Sequence, residues 1–200
     1  MSIPQAAVGR LSLYLRELQQ QLRDDRQTIS STQLGQLLGF TDAQVRKDLA
    51  YFGQFGYPGV GYRCGELVAA IQRILGTDRL WPIAIVGVGN LGRALLGYRG
   101  FREQGFRIAA AFDADSAKVG RTLEGILVHP MERLSAVITR QQIKLGILAV
   151  PGAAAGSVAE TLVAAGLEGI LNFAPVTLNL PPTVRVVSVD LAMELEQLSF

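Results

Sequence analysis

Gly87-Val88-Gly89-Asn90-Leu91-Gly92 is the stretch of this sequence best suited to holding a phosphate. It fits G-x-G-x-x-G, follows the apolar run 83–86 and opens a helical pattern, LGRALLGY. In that setting the first glycine permits a tight turn and the second lets the backbone approach a pyrophosphate. The third lets the helix pack close to the strand. Free N–H groups and the dipole at the helix start favour the anion. Asp113 ends the next strand pattern about 20 residues on, where a carboxylate binds ribose hydroxyls. That acid also repels a 2′-phosphate, so the spacing favours NADH and NAD+ over their phosphorylated counterparts. A glycine-rich turn holding another ligand, or none, is the competing reading.

Groups for hydride chemistry are scarce around this motif. Such chemistry wants a positioned acid or base, most often histidine, lysine or tyrosine. The single histidine, His129, is placed in a loop before Pro130. Lys118 follows the ribose acid, where a solvated or phosphate-neighbouring role fits better than catalysis. Tyr98 is placed two turns into the helix after the glycines, where packing is the plain reading. Cys64 is the only cysteine and reads as a small buried residue. No Ser-His-Asp, Cys-His or metal-ligand constellation is available. This poverty points to a sensor rather than an enzyme; an NAD-dependent oxidoreductase with an accessory helical domain is the alternative.

A second surface lies nearer the N-terminus. Ser30 with Gln33, and Thr41 with Gln44, both fit the capping-box pattern at helix starts. Gly39 and Gly53 stop the two helices. Two short helices joined by a turn are what a helix-turn-helix needs. On the second, Val45, Leu49 and Phe52 form the inner stripe. The opposite face carries Ala43, Gln44, Lys47, Ala50 and Tyr51, with Arg46 on its flank. Gln44 and Lys47 suit base edges in the major groove, and Arg46 and Tyr51 suit phosphates or base edges. Ser31 is placed for a phosphate contact. FGYPGVGYRCG reads as a hairpin wing, with Gly59, Gly61 and Tyr62 over the minor groove. Patterning alone leaves a solvated face on a small protein-binding domain as the competing reading.

The bulk of the chain must position these two surfaces. The chain has 200 residues, 49% hydrophobic and 18% charged, enough for two small domains with cores. The net charge is +2. Residues 1–80 carry nine Lys/Arg against seven Asp/Glu, and the remainder ten of each, so the excess lies in the first segment. No run reaches ~18 apolar residues, which argues against a membrane span. The N-terminus lacks a secretory pattern, and one cysteine allows no internal disulfide; both point to the cytoplasm. Helical spacing covers 8–23 and 66–75, and GTDRLWP reads as a linker. From Ile83 onward, strand runs at IAIVGVG, RIAAAFDAD, 144–150, GILNFAP and VRVVSVD alternate with helical patterns. That alternation predicts a parallel sheet covered on both faces. Pattern assigns no element between the second strand and residue 144.

These motifs together resemble the Rex family of redox-sensing transcriptional repressors. The resemblance is carried by QVRKDL at 44–49, YFG at 51–53, GVGY at 59–62, VGVGNLGRAL at 86–95, Phe112-Asp113, GILNFAPV at 169–176, and the closing 189–191 and 198–199. It covers nearly the whole chain, in the family's order. It implies an α/β protein: a winged helix-turn-helix DNA-binding domain at 1–80, a Rossmann NAD(H)-binding domain at 81–187 and an exchanged C-terminal helix at 188–200. It further implies a homodimer that binds a palindromic double-stranded operator and releases it when NADH binds. The cofactor site implied takes in 87–92, Tyr98, Asp113, Lys118, Val150, Pro151, Asn172, Phe173, Ala174 and Pro175. The switch residues implied are Arg16, Tyr98 and Asp190. Leu191 stands where some relatives carry an aromatic residue. The second half also resembles CoA-ligase nucleotide-binding domains, which leaves a different ligand open at this point.

Overall fold

The computed structural model describes residues 4–199. The chain divides into two compact units, Met1–Arg79 and Leu80–Phe200.

In the first unit, helix α1 (Gln5–Arg23) is followed by strand β1 (Thr28–Ile29) and helices α2 (Ser31–Leu38) and α3 (Asp42–Ala50). A hairpin of β2 (Gly56–Tyr57) and β3 (Gly61–Arg63) then leads into α4 (Cys64–Leu75). The strands form an antiparallel sheet in the order β1-β3-β2. This helix, strand and hairpin order is a winged helix-turn-helix. Leu11, Tyr14, Leu18, Leu34, Val45 and Leu67 fill its core. Cys64 is buried in the same core, and burial pushes its thiol pKa up.

The two helix starts differ although their sequences match. Before α2 the capping box closes: Gln33 N donates to Ser30 Oγ at 3.1 Å, and Ser30 N to Gln33 Oε1 at 2.9 Å. Before α3 only half of it forms, with Gln44 N donating to Thr41 Oγ1 at 3.1 Å. The Gln44 side chain turns to Asp48 instead.

The second unit opens with β4 (Trp81–Val86), so Trp81 and Pro82 are strand residues rather than the end of a linker. After it come α5 (Asn90–Leu96), α6 (Gly100–Glu103) and β5 (Phe106–Asp113). The hairpin β6 (Thr122–Leu123) and β7 (Ile126–Pro130) and helix α7 (Leu134–Arg140) occupy the stretch that pattern left unassigned. His129 therefore sits in a strand and not in a loop. It pairs in register with Phe112, and its short strand shows no clear alternation. Next are β8 (Leu145–Leu148), α8 (Gly152–Ala164), β9 (Gly169–Asn172), β10 (Arg185–Ser188) and α9 (Leu191–Ser199).

The sheet order is β10-β9-β8-β4-β5-β7-β6, with every pairing parallel except β6 with β7. Leaving out β6, this is the doubly wound dinucleotide-binding order. The order reverses between β4 and β8, where a ligand crevice is expected beyond the strand ends. One face of β4 packs Ala84 and Val86 against α7 and α8. The other packs Ile83 and Ile85 with Leu96 and Phe101. Over β8, β9 and β10 that second face keeps an apolar groove of about 310 Å³, bordered by Phe106, Ile147, Leu171 and Val187. No helix among the described residues is long and apolar enough to cross a membrane.

Candidate nucleotide site and nucleic-acid interface

The glycine loop sits at the reversal of strand order. Gly87 N donates to Phe112 O, and Ala149 N to Val86 O, which ties the ends of β4, β5 and β8 together. Gly87 has φ +92°, and a Cβ there would lie 2.4 Å from Ala149 O. A Cβ on Gly92 would lie 1.9 Å from Gly87 O, which is the close helix–strand approach expected of the third glycine. At Gly89 a Cβ would meet nothing within 4 Å. The middle glycine thus faces the open space where a pyrophosphate would approach. No side chain caps α5, so the amides of Asn90 and Leu91 are left to an anion. These features fit a dinucleotide.

Asp113 is 8% exposed and organises this loop. Its Oδ2 accepts from Val88 N at 2.7 Å and Lys118 Nζ at 3.2 Å, and its Oδ1 from Asp115 N at 2.8 Å. Burial acts to raise the carboxyl pKa, but these hydrogen bonds and the Lys118 charge outweigh it and hold it below the ordinary value. A carboxylate offers about four acceptor positions. Three are filled, which leaves one for a ribose hydroxyl. Asp115 caps the turn that follows, through Ala117 N.

Val150 and Pro151 border the loop from the β8 side: Val150 Cγ1 lies 3.0 Å from the Cβ position of Gly87, and Pro151 precedes α8. Asn172 is fully buried, and its amide is used within its own loop. It donates to Ala174 O and Val176 O and accepts from Ala174 N. It shapes the turn carrying Phe173, Ala174 and Pro175. Tyr98 lies beyond the end of α5 and not two turns inside it, because Gly97 ends the helix. It is 59% exposed, and its ring meets Phe101 edge-on at 5.1 Å. Asp190 caps α9 with Oδ1, which accepts from Ala192 N at 3.0 Å. Burial, then Arg133 and Arg140, push the His129 pKa down. It lines a cleft with those arginines, apart from the loop residues above.

In the first unit, Lys47 and Arg46 are exposed on α3. Arg46 Nη1 bonds Asp42 at 2.7 Å and Ser31 Oγ at 3.0 Å, which joins the start of α2 to α3 in one polar patch. Tyr51 follows α3, half-buried. Gly59 and Gly61, with φ of +75° and +86°, shape the wing turn. Tyr62 differs from expectation. It is 7% exposed and belongs to the core, because strand alternation turns it inward opposite Ile29 and Gly56. The exposed wing side chains include Tyr57, Pro58, Val60 and Arg63, with the Arg63 guanidinium 4.7 Å from the Tyr57 ring.

Sequence reasoning also passed over Asp48. It lies on the inner side of α3 beside Val45 and Leu49, with no exposure. Arg10 grips it through Nε and Nη2, at 2.5 and 2.8 Å. Tyr14 donates to Oδ2 at 2.8 Å and Gln44 Nε2 to Oδ1 at 2.7 Å. Burial would raise the Asp48 pKa; the hydrogen bonds from Arg10, Tyr14 and Gln44 reverse that and lower it. The available signal was a charge inside an apolar arc, since a buried charge needs partners.

Comparison with known proteins is consistent across the chain. Residues 78–176 match the family model described as "CoA binding domain", and 2–50 the one described as "Putative DNA-binding protein N-terminus". The redox-sensing transcriptional repressor Rex of Carboxydothermus hydrogenoformans is 50% identical over 99% of this chain and 95% of its own. That of Desulfitobacterium hafniense is 48% identical over 100% and 95%. The chain belongs to the Rex family. Among solved structures, RSP in complex with β-NAD+ and operator DNA matches with a TM-score of 0.93 at 36% identity, covering 100% of this chain and 92% of that one. RSP in complex with β-NADH matches at 0.89 and 34%, covering 100% and 93%. Rex relatives are named as transcriptional repressors, so membership places this chain among regulators rather than enzymes.

Proposed function

We propose that this chain is a homodimeric repressor that binds a palindromic operator without NADH and releases it when NADH binds. The observation that carries this reading is the pairing, on one chain, of a recognition helix with exposed Lys47 and Arg46 and a glycine loop organised by Asp113. RSP supports it, since its structures contain β-NAD+ with operator DNA in one case and β-NADH in the other.

In this reading 87–92 hold the pyrophosphate, Asp113 and Lys118 face the adenine ribose, and Val150, Pro151 and 172–175 border the rest of the dinucleotide. Ser31, Gln44, Arg46, Lys47 and Tyr51 face DNA, with the wing at Gly59 and Gly61 beside them. Tyr62 supports the wing from the core. A conformation-dependent partnership among Arg16, Tyr98 and Asp190 couples the two. The Asp190 cap uses Oδ1, so Oδ2 is left for a partner.

The homodimer is supported by α9, where Leu191, Met193, Leu195 and Leu198 are all more than half exposed. Such an apolar helix needs cover. The groove over β8, β9 and β10 offers apolar surface of matching character to a second copy. Operator and nicotinamide pool place the work in the cytoplasm.

A gel-shift titration of a palindromic duplex, with NADH, NAD+, CoA or no ligand, tests the proposal. Only NADH is expected to weaken the complex. Equal affinity in all four mixtures overturns it.

A further inference from the structure

Two helix starts with the same S/T-x-x-Q pattern end differently. Gln33 closes its capping box, whereas Gln44 leaves its own half-made and bonds Asp48. A capping box satisfies orphan amides at a helix start. Diverting the glutamine gives up one such bond, and Asp48 receives it instead.

That bond determines which way the Gln44 amide faces. A carboxylate held ionised by Arg10 and Tyr14 accepts only. The NH2 group of Gln44 must therefore point to Asp48. The carbonyl oxygen Oε1 takes the other branch of the planar amide, and no donor among the described residues reaches it. Flipping the amide would set two acceptors against each other beside a buried charge. Gln44 sits in the first turn of α3, the part of a recognition helix that meets base edges. A free glutamine both donates and accepts; a tethered one presents its acceptor.

We propose that Asp48 is a positioning residue that locks Gln44 as a hydrogen-bond acceptor, so that Gln44 selects a base with an exocyclic amine. In the major groove those amines are adenine N6 and cytosine N4, whereas guanine O6 and thymine O4 are acceptors that repel it. This rests on the DNA-binding reading above and specifies what one residue reads. Arg10 and Tyr14 act one step further back by keeping Asp48 charged and fixed.

The test is selection by the full chain from a pool of duplexes with randomised half-sites, followed by sequencing. The wild type is expected to enrich adenine or cytosine at one position of each half-site by about tenfold over guanine and thymine. Gln44→Ala flattens that position and leaves the others. Gln44→Glu cannot donate to Asp48 and is turned away from it, but it can only accept, so it keeps the amine preference at lower total affinity. Asp48→Asn flattens the same position, because an amide at 48 tolerates either orientation of Gln44. Its salt dependence stays that of the wild type. Circular dichroism confirms that each variant is folded; if Asp48→Asn is not, Gln44→Glu decides whether residue 44 acts as acceptor. A folded Asp48→Asn with unchanged preference overturns the proposal. So does a Gln44-dependent position that prefers guanine or thymine, or loss of the preference in Gln44→Glu. A wild type that enriches no duplex overturns the DNA-binding reading itself, and this inference with it.

Discussion

Between Gly87 and Gly92 the work falls to backbone, and between Ser31 and Tyr51 it falls to side chains. The nucleotide loop exposes amides, and three glycines either keep side chains out of close approaches or leave room for a ligand. The proposed DNA face depends on how Asp42, Ser31 and Asp48 hold Arg46 and Gln44. A backbone site tolerates almost no added atom at its tight positions. A side-chain site tolerates substitution of the reader but is sensitive to the residues beneath it. The two surfaces should therefore break in different ways.

The largest effect is expected at the backbone site. Gly92→Ala forces a Cβ onto Gly87 O, an overpacking that costs about 1–3 kcal/mol and displaces the loop. Calorimetry should find no measurable NADH binding, while duplex binding by the ligand-free protein persists. Intact NADH binding would show that the loop has slack. Next is the support of the side-chain site. Asp48→Ala leaves the part-exposed Arg10 and the buried Tyr14 hydroxyl without their acceptor, and losing hydrogen bonds to a charged group costs about 2 kcal/mol. Urea unfolding measures this directly.

The same pair has a pH signature. The Asp48 pKa is lowered in the folded state, so its stabilisation is present above the unfolded value of about 3.9. It is lost as pH falls through the folded value. The stability gap between wild type and Asp48→Ala should close on acidification below about pH 4. A gap that holds steady there would mean that the pairing charge is not the source.

Smaller effects separate roles within each site. Asp113→Ala removes a charged hydrogen-bond acceptor and should weaken NADH by roughly tenfold, with ligand-free duplex binding intact. Ser30→Ala opens the complete box at α2 and should cost about 1 kcal/mol, the usual worth of an N-cap. Thr41→Ala removes the equivalent single bond at α3 and should cost about the same in urea unfolding; a much larger loss at Ser30 would show that its closed box acts as a unit.

The same contrast explains what could be read from sequence. Glycine spacing reports backbone geometry directly, so the tight turn at 87–92 and the placing of Asp113 at the end of the next strand follow from the sequence. The alternation of strand and helix patterns likewise announced the parallel sheet. The hairpin around His129 was not legible, because its strands are short and without clear alternation. Tyr62 was misplaced because a glycine-rich wing invites every residue in it to be read as exposed. Asp48 was missed because its partners Arg10 and Tyr14 lie 38 and 34 residues away on another helix, beyond the reach of local patterns. Tyr98 was set inside a helix because the apolar pattern runs on past Gly97, where the chain turns.

The most direct test of coupling between the two surfaces is the affinity for NADH with and without saturating operator duplex. Linkage requires that the factor by which NADH weakens DNA binding equal the factor by which DNA weakens NADH binding. A redox-sensing repressor predicts weaker NADH binding on the duplex, by that same factor, with NAD+ affected far less. An NADH affinity that is identical with and without duplex would contradict it.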